Sequence, residues 1–180
     1  GSLSDFMALW TRSNAKIEFT SVPLGGGGLV PNLMSGNVDA AVVYSPLSFQ
    51  MIQNGQAREI LDYAKAIPPH LASGWATTDK IINERKDLLR GALQAMFGAV
   101  AYLHNNRDAA IKIIAEANSV PEAIARQEYE ETFLKLSKDG RFTLDQTRVA
   151  MELARIGGFD NLAPAEEFTT MDFTPVALGV

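Results

Sequence analysis

Two periodicities divide the chain. Up to about Asp62, short helical and short β-type segments alternate. Leu3, Phe6, Met7 and Trp10 recur at helical spacing, with Ser2 and Asp5 placed to open that helix in the manner of a capping box. "KIEFTSVPL" sets Ile17 and Phe19 against Glu18 and Thr20, an alternation that predicts a strand ending at Pro23. "GGGGLVPNLMSG" predicts a glycine-rich turn into a short helix closed by Gly36. "DAAVVY", an apolar run between turn signals, predicts a strand buried on both faces. "PLSFQMIQNG" predicts a helix ending at Gly55, and "REILDY" a further strand. The order β-α-β-α-β implies an α/β lobe with a parallel sheet and right-handed crossovers.

After the joint "AIPPHLASG" the pattern changes. One more strand-like piece, "GWATTD", precedes a region that reads as helix almost throughout. Leu89, Leu93, Met96, Val100 and Leu103 mark one long amphipathic helix, and Ala110, Ile113, Ile114 and Ala117 a second. Ser119 with Glu122, and Thr143 with Gln146, have the spacing of capping boxes that open a third and a fourth. Their apolar stripes include Ile124, Tyr129, Phe133 and Leu136, then Val149, Leu153 and Ile156, with Gly157-Gly158 closing the last. The tail from Phe159 reads as irregular, and no internal repeat is visible.

The bulk numbers narrow the partners. Across 180 residues a net charge of −5, without a dense Lys/Arg cluster, argues against a nucleic-acid or anionic-membrane partner. The absence of cysteine removes thiol catalysis, Cys-ligated zinc and disulfides together. No stretch approaches the roughly 20 apolar residues of a transmembrane helix. Nor does the chain open on a basic-then-apolar leader.

Candidate chemistry is sparse. Gly25 to Gly28 lack a following Gly-Lys-Ser/Thr and fail the G-x-G-x-x-G spacing, so nucleotide binding is disfavoured. A plain turn and a backbone ligand-binding turn both remain open there. Ser13-Asn14-Ala15-Lys16 matches S-x-x-K without its supporting elements and reads as chance. His70 and His104 lack ligand-type spacing, and Glu130-Glu131 and Glu166-Glu167 read as solvated surface, so no metal site, catalytic residue or cofactor is expected. The corner Tyr44-Ser45-Pro46 stands out, because α/β proteins place ligands at the carboxyl ends of parallel strands. Trp75, after Gly74 at the join between the two halves, suits packing and ligand contact equally.

In this order "GSLSD", "VPLGGGG", "LMSGNVDAAVVYSP" and "GQAREILDY" resemble the second lobe of ABC-transporter solute-binding proteins of the sulfonate, nitrate and thiamine-precursor group. "ASGWATTDKIINERKDLLRGALQAM" is similar to the return strand and long helix of that group, and "FTTMDFTPV" to its C-terminal end. The resemblance implies a periplasmic-binding-protein type II-like fold. Residues 1–72 would form the second α/β lobe, and 73–180 a hinge strand and helical part completing a first lobe whose opening portion precedes residue 1. It also implies that Gly1, Ser2, Leu3 and Ser4 face solute, with Gly25, Gly26 and Gly27 as a second turn and Tyr44, Ser45 and Pro46 as a third. Trp75 would lie near the hinge.

The implied function is non-enzymatic. A small organic solute, anionic or aromatic, would bind between lobes in the periplasm or outside the cell, with a membrane ABC permease as partner and no cofactor. Apolar helical faces meant for the remaining lobe would favour self-association of the chain. Two other classes share the fold. A thiamine-pyrimidine synthase relies on a cysteine-rich motif, which this chain lacks. The effector domain of a LysR-type regulator follows a helix-turn-helix. Sequence upstream of Gly1, either a signal peptide or a DNA-binding helix pair, separates the two binding readings.

Overall fold

The computed structural model describes residues 2–178. They fall into two compact units, one of residues 2–72 with 145–163, the other of 73–144 with 164–178.

The first unit is organised by α1 (Leu3–Ala15), α2 (Leu29–Met34), α3 (Leu47–Gln53), α4 (Tyr63–Ala66) and α9 (Leu144–Ile156). Ser2 caps α1, its Oγ accepting the Asp5 N–H at 3.4 Å, and Lys16 ends it in the left-handed conformation. Met7, Ile67 and Leu153 are buried together, with Leu3, Phe6, Trp10, Val42, Tyr63 and Val149 packed around them. The apolar stripe of α1 therefore has its counterpart on α9. Trp10 meets Tyr63 edge to face at 6.2 Å, and the Tyr63 hydroxyl is 2.7 Å from Thr11 Oγ1. α9 closes as its sequence predicts: Gly158 takes a left-handed φ, and Gly157 lies against Phe6 where a Cβ would stand 2.4 Å from the ring.

The predicted parallel sheet does not form. Among the described residues no segment is paired as a strand: 17–22, 39–44, 58–62 and 74–78 run as irregular backbone, and Tyr63 already opens α4. A ladder requires a second extended backbone aligned about 4.8 Å away. These segments find other partners. Arg12 Nη2 donates to the Phe19 carbonyl at 2.7 Å while the guanidinium lies over the Phe19 ring, which ties the first segment to the end of α1. Val42 packs its side chain into the helix-lined core. The run 39–44 is accordingly half-buried or exposed, not buried on both faces.

The second unit contains α5 (Asp79–Glu84), α6 (Lys86–Asn105), α7 (Arg107–Asn118), α8 (Glu122–Glu131) and α10 (Ala165–Phe168). Thr78 caps α5, its Oγ1 accepting the Ile81 N–H at 3.3 Å, so the second half of "GWATTD" starts a helix. The core lies in the α7–α8 hairpin, where Ala110, Ile111, Ile114, Val120, Ile124, Ala125 and Tyr129 are buried. Two expectations change here. Ile113 is 48% exposed and Ile111 takes the core position, because α7 turns its stripe one step round the helix to meet α8. Ser119 does not open α8: it ends α7 in the left-handed conformation, and Pro121 is the N-cap residue of α8. The Val120 N–H then bonds the Ala115 carbonyl, which satisfies the last turn of α7.

The tail binds within this unit through the Val176 N–H to the Asp139 carbonyl at 2.8 Å and Gln94 Nε2 to the Ala177 carbonyl at 3.0 Å. Gly140, at φ +76°, sits where a Cβ would lie 2.8 Å from Phe97 Cζ. We expect Gly140→Ala to destabilise the chain by about 1–3 kcal/mol, from left-handed strain plus overpacking. Adding Phe97→Leu should recover the overpacking share alone. Thermal unfolding of both variants checks this, and an unchanged midpoint for Gly140→Ala would refute it.

Candidate functional site

The open end of α1 is the best-defined polar corner. The first intrahelical bond runs from the Phe6 N–H to the Ser2 carbonyl, so the Leu3 and Ser4 N–H groups precede any intrahelical acceptor. Ser2 Oγ and Ser4 Oγ are 2.9 Å apart, and Ser4 also hydrogen-bonds the Tyr44 phenol. Desolvation pushes that phenol above its usual pKa, with the Ser4 bond opposing the shift, so the hydroxyl stays protonated at neutral pH. Tyr44 is nonetheless 46% exposed.

Three hydroxyls thus meet at the positive end of a 13-residue helix. Pro46, buried after a cis Ser45–Pro46 bond, starts α3, and the Ser48 N–H bonds back to the Tyr44 carbonyl at 3.1 Å. The side-chain donors of the corner are hydroxyls, each able to turn from donor to acceptor, which suits a small polar or anionic group. Asp5, in the first turn, adds a negative charge nearby.

The remaining sequence-predicted positions are placed as follows. Gly1 lies outside the described residues. Leu3 packs on the core cluster. Gly25, at φ +65°, leads into a 3₁₀ turn over Gly26–Gly28, and Gly25, Gly26 and Gly27 are exposed with open space where a Cβ would stand. Among the described residues no hydrogen bond joins Gly25–Gly27 to Ser4 or Tyr44. Trp75 belongs to the second unit and is 71% exposed. Ser2, Ser4 and Tyr44 are therefore the residues brought together.

Two concavities lie elsewhere. In the first unit a shallow depression of about 580 Å³ is lined by Leu9, Arg12, Ser13, Lys16, Glu18 and Ile156, so the S-x-x-K serine and lysine do share a wall. In the second unit a recess of about 110 Å³ lies between Arg90 and Gln94 of α6 and the Asp172–Ala177 tail. Neither was signalled by the sequence, since each joins segments distant along the chain. No cluster of His, Asp or Glu among the described residues is arranged to hold a metal ion. The carboxylate pairs serve the surface, Glu130 paired with Arg107 and Glu131 accepting from Gln127. No helix of the described residues is long and apolar enough to cross a membrane.

No curated protein and no solved structure matches the chain. The sequence profile of the NMT1-like family matches residues 9–118, more than half of it. That match includes the glycine turn, the Tyr44 corner and the long helix α6, and it supports the solute-binding group to which the motifs pointed. The family implies a periplasmic-binding-protein fold, while the described residues themselves show helices without a sheet. On a match of this extent, the chain belongs to the NMT1-like family.

Proposed function

We propose that this chain is the solute-binding component of an ABC-type uptake transporter, acting outside the cytoplasm and handing a small organic solute to a membrane permease. It carries no catalysis in this reading. The observation that carries it is the meeting of the Ser2, Ser4 and Tyr44 hydroxyls at the open N-terminus of α1 in a chain of this family. Helix-end N–H groups and the helix dipole favour a carboxylate, sulfonate or phosphate without a cationic side chain. The resemblance adds Ser45 and Pro46 to that corner, Gly25–Gly27 as a second solute-facing turn and Trp75 near the hinge. Residues 73–180 would complete the other lobe, and closure would follow from tighter binding of solute in the closed state.

A thermal-shift screen of organic sulfonates, carboxylates and phosphate esters tests the reading. For a hit, Ser4→Ala and Tyr44→Phe should each weaken affinity about two- to tenfold, the worth of one hydrogen bond. Ligand-free melting should barely move, since both side chains lie at the surface. Gly26→Val and Trp75→Ala examine the second turn and the hinge tryptophan. If no organic anion shifts the melting, or if Ser4→Ala and Tyr44→Phe lower stability while affinity holds, the corner is structural.

A further inference from the structure

The depression beside the C-terminal half of α1 gathers charges that have no partner in the fold. Leu9, Arg12, Ser13, Lys16, Glu18 and Ile156 line it, all within the first unit. Arg12 and Arg126 are the partly buried arginines among the described residues. Arg126 pairs with Glu122 at 2.8 Å, whereas Arg12 meets no carboxylate among them. The Arg12 guanidinium is nonetheless held in place, by the Nη2 bond to the Phe19 carbonyl and by the Phe19 ring 4.6 Å away. Its Nε is buried without an acceptor. A fixed cation with donors unused is prepared for an anion, since little side-chain entropy remains to be lost on binding.

Lys16 follows four residues on, at φ +52°, a helix-end conformation that glycine adopts at lower cost. Two cations therefore line one side of α1, with the Ser13 hydroxyl between them in sequence. Glu18 brings the opposite charge to the same depression, as does the C-terminal end of the α1 dipole. Among the described residues neither Lys16 nor Glu18 is in an ion pair. Leu9 and Ile156 complete the lining with apolar surface, Ile156 being 38% exposed.

We propose that this depression is a second ligand site, for an α-amino acid with an apolar side chain. The carboxylate is met by Arg12 and Lys16, the ammonium by Glu18, and the side chain lies on Leu9 and Ile156. Other ligand classes leave part of the lining opposed or unused. A phosphate ester brings a second negative charge toward Glu18 and the negative end of α1, and an apolar molecule desolvates two cations without replacing their water. The site is open to solvent, so it holds its ligand weakly, with a Kd of about 0.1–1 mM. About 20 Å of helix separates the two ends of α1, which makes this site independent of the Ser2, Ser4 and Tyr44 corner and of the solute-binding reading.

Ligand-observed NMR titration of the full chain with L-leucine tests the proposal. Leucinamide lacks the carboxylate and isocaproate lacks the ammonium, and each should bind at least about fivefold more weakly than leucine. Glu18→Gln should weaken leucine by a similar factor and leave isocaproate no weaker, which closes the gap between them. Lys16→Gly separates binding from folding. It removes a cation and relieves the left-handed turn, so leucine affinity should fall while the melting temperature holds or rises. Ser4→Ala, at the other end of α1, should leave the leucine Kd within about twofold. No saturable binding up to about 10 mM leucine, equal binding of leucine and either analogue, or a Lys16→Gly chain that binds leucine as well as wild type would each overturn the proposal. So would a loss on Ser4→Ala as large as that on Lys16→Gly, because leucine would then occupy the other corner.

Discussion

Tyr129→Ala is expected to remove about 3–5 kcal/mol of stability, the range for deleting a buried aromatic side chain. Tyr129 is 3% exposed and stacks on Phe133 with ring centroids 5.8 Å apart. Its hydroxyl donates to the His104 carbonyl at 3.0 Å and approaches the Leu103 carbonyl at 3.4 Å. Both carbonyls lie in the last turn of α6, where the Asn106 N–H reaches back to the Leu103 carbonyl at 3.4 Å and the Tyr129 hydroxyl serves that of His104. One side chain of α8 therefore fills the core and caps the longest helix. Tyr129→Phe keeps the packing and loses the donor, so it should cost about 0.5–1.5 kcal/mol. Urea unfolding followed by circular dichroism separates the two variants. An alanine variant within about 1 kcal/mol of wild type would show that the pocket collapses freely around the gap.

The helical half was legible because its signals are local. The stripe from Leu89 to Leu103 lies on the inward side of α6, and Thr143 directly precedes α9. Ser119 misled because a serine three residues before a glutamate also fits a helix end, and Pro121, unable to continue α7, starts α8 two residues later. The strands failed for a different reason. An apolar run such as "DAAVVY" states that side chains need cover, and Val42 finds it against helices without any backbone pairing. Strand formation is a property of two segments, and single-segment alternation carries no partner.

The candidate corner was legible in part. Ser2 and Ser4 stand at a helix start that capping rules identify, and Tyr44 ends the apolar run of residues 39–44. Their meeting spans 40 residues of chain and is tertiary, so spacing alone could not give it. Gly25–Gly27 and Tyr44 would converge only at the strand ends of a common sheet, and without that sheet nothing draws the two turns together. His104 is the plainest case of a residue whose importance is invisible in sequence. A lone histidine near a helix end signals neither ligation nor burial.

That histidine should make stability depend on pH. His104 is 9% exposed, both ring nitrogens are buried without a hydrogen-bond partner, and its ring lies 5.1 Å from that of Phe133. Burial, and after it the charge of Lys138, holds its pKa below the usual 6.5. Between those two pKa values the unfolded chain binds a proton that the folded chain refuses, so stability must fall as pH falls below 6.5. The slope for one such group is at most about 1.4 kcal/mol per pH unit, and it ends once the folded ring also charges. His104→Phe replaces two unsatisfied nitrogens with carbon and keeps an aromatic ring against Phe133, so at neutral pH it should be at least as stable as wild type. Urea midpoints for the two proteins, taken from about pH 8 to about pH 5, should diverge below 6.5, with the variant holding its stability longer. His70 and every carboxylate are common to both proteins, so the difference between the curves isolates His104. Curves that stay parallel through this range would mean that the ring gains a partner, or water, as it charges, and that the α6–α8 corner opens at far lower cost than its burial implies.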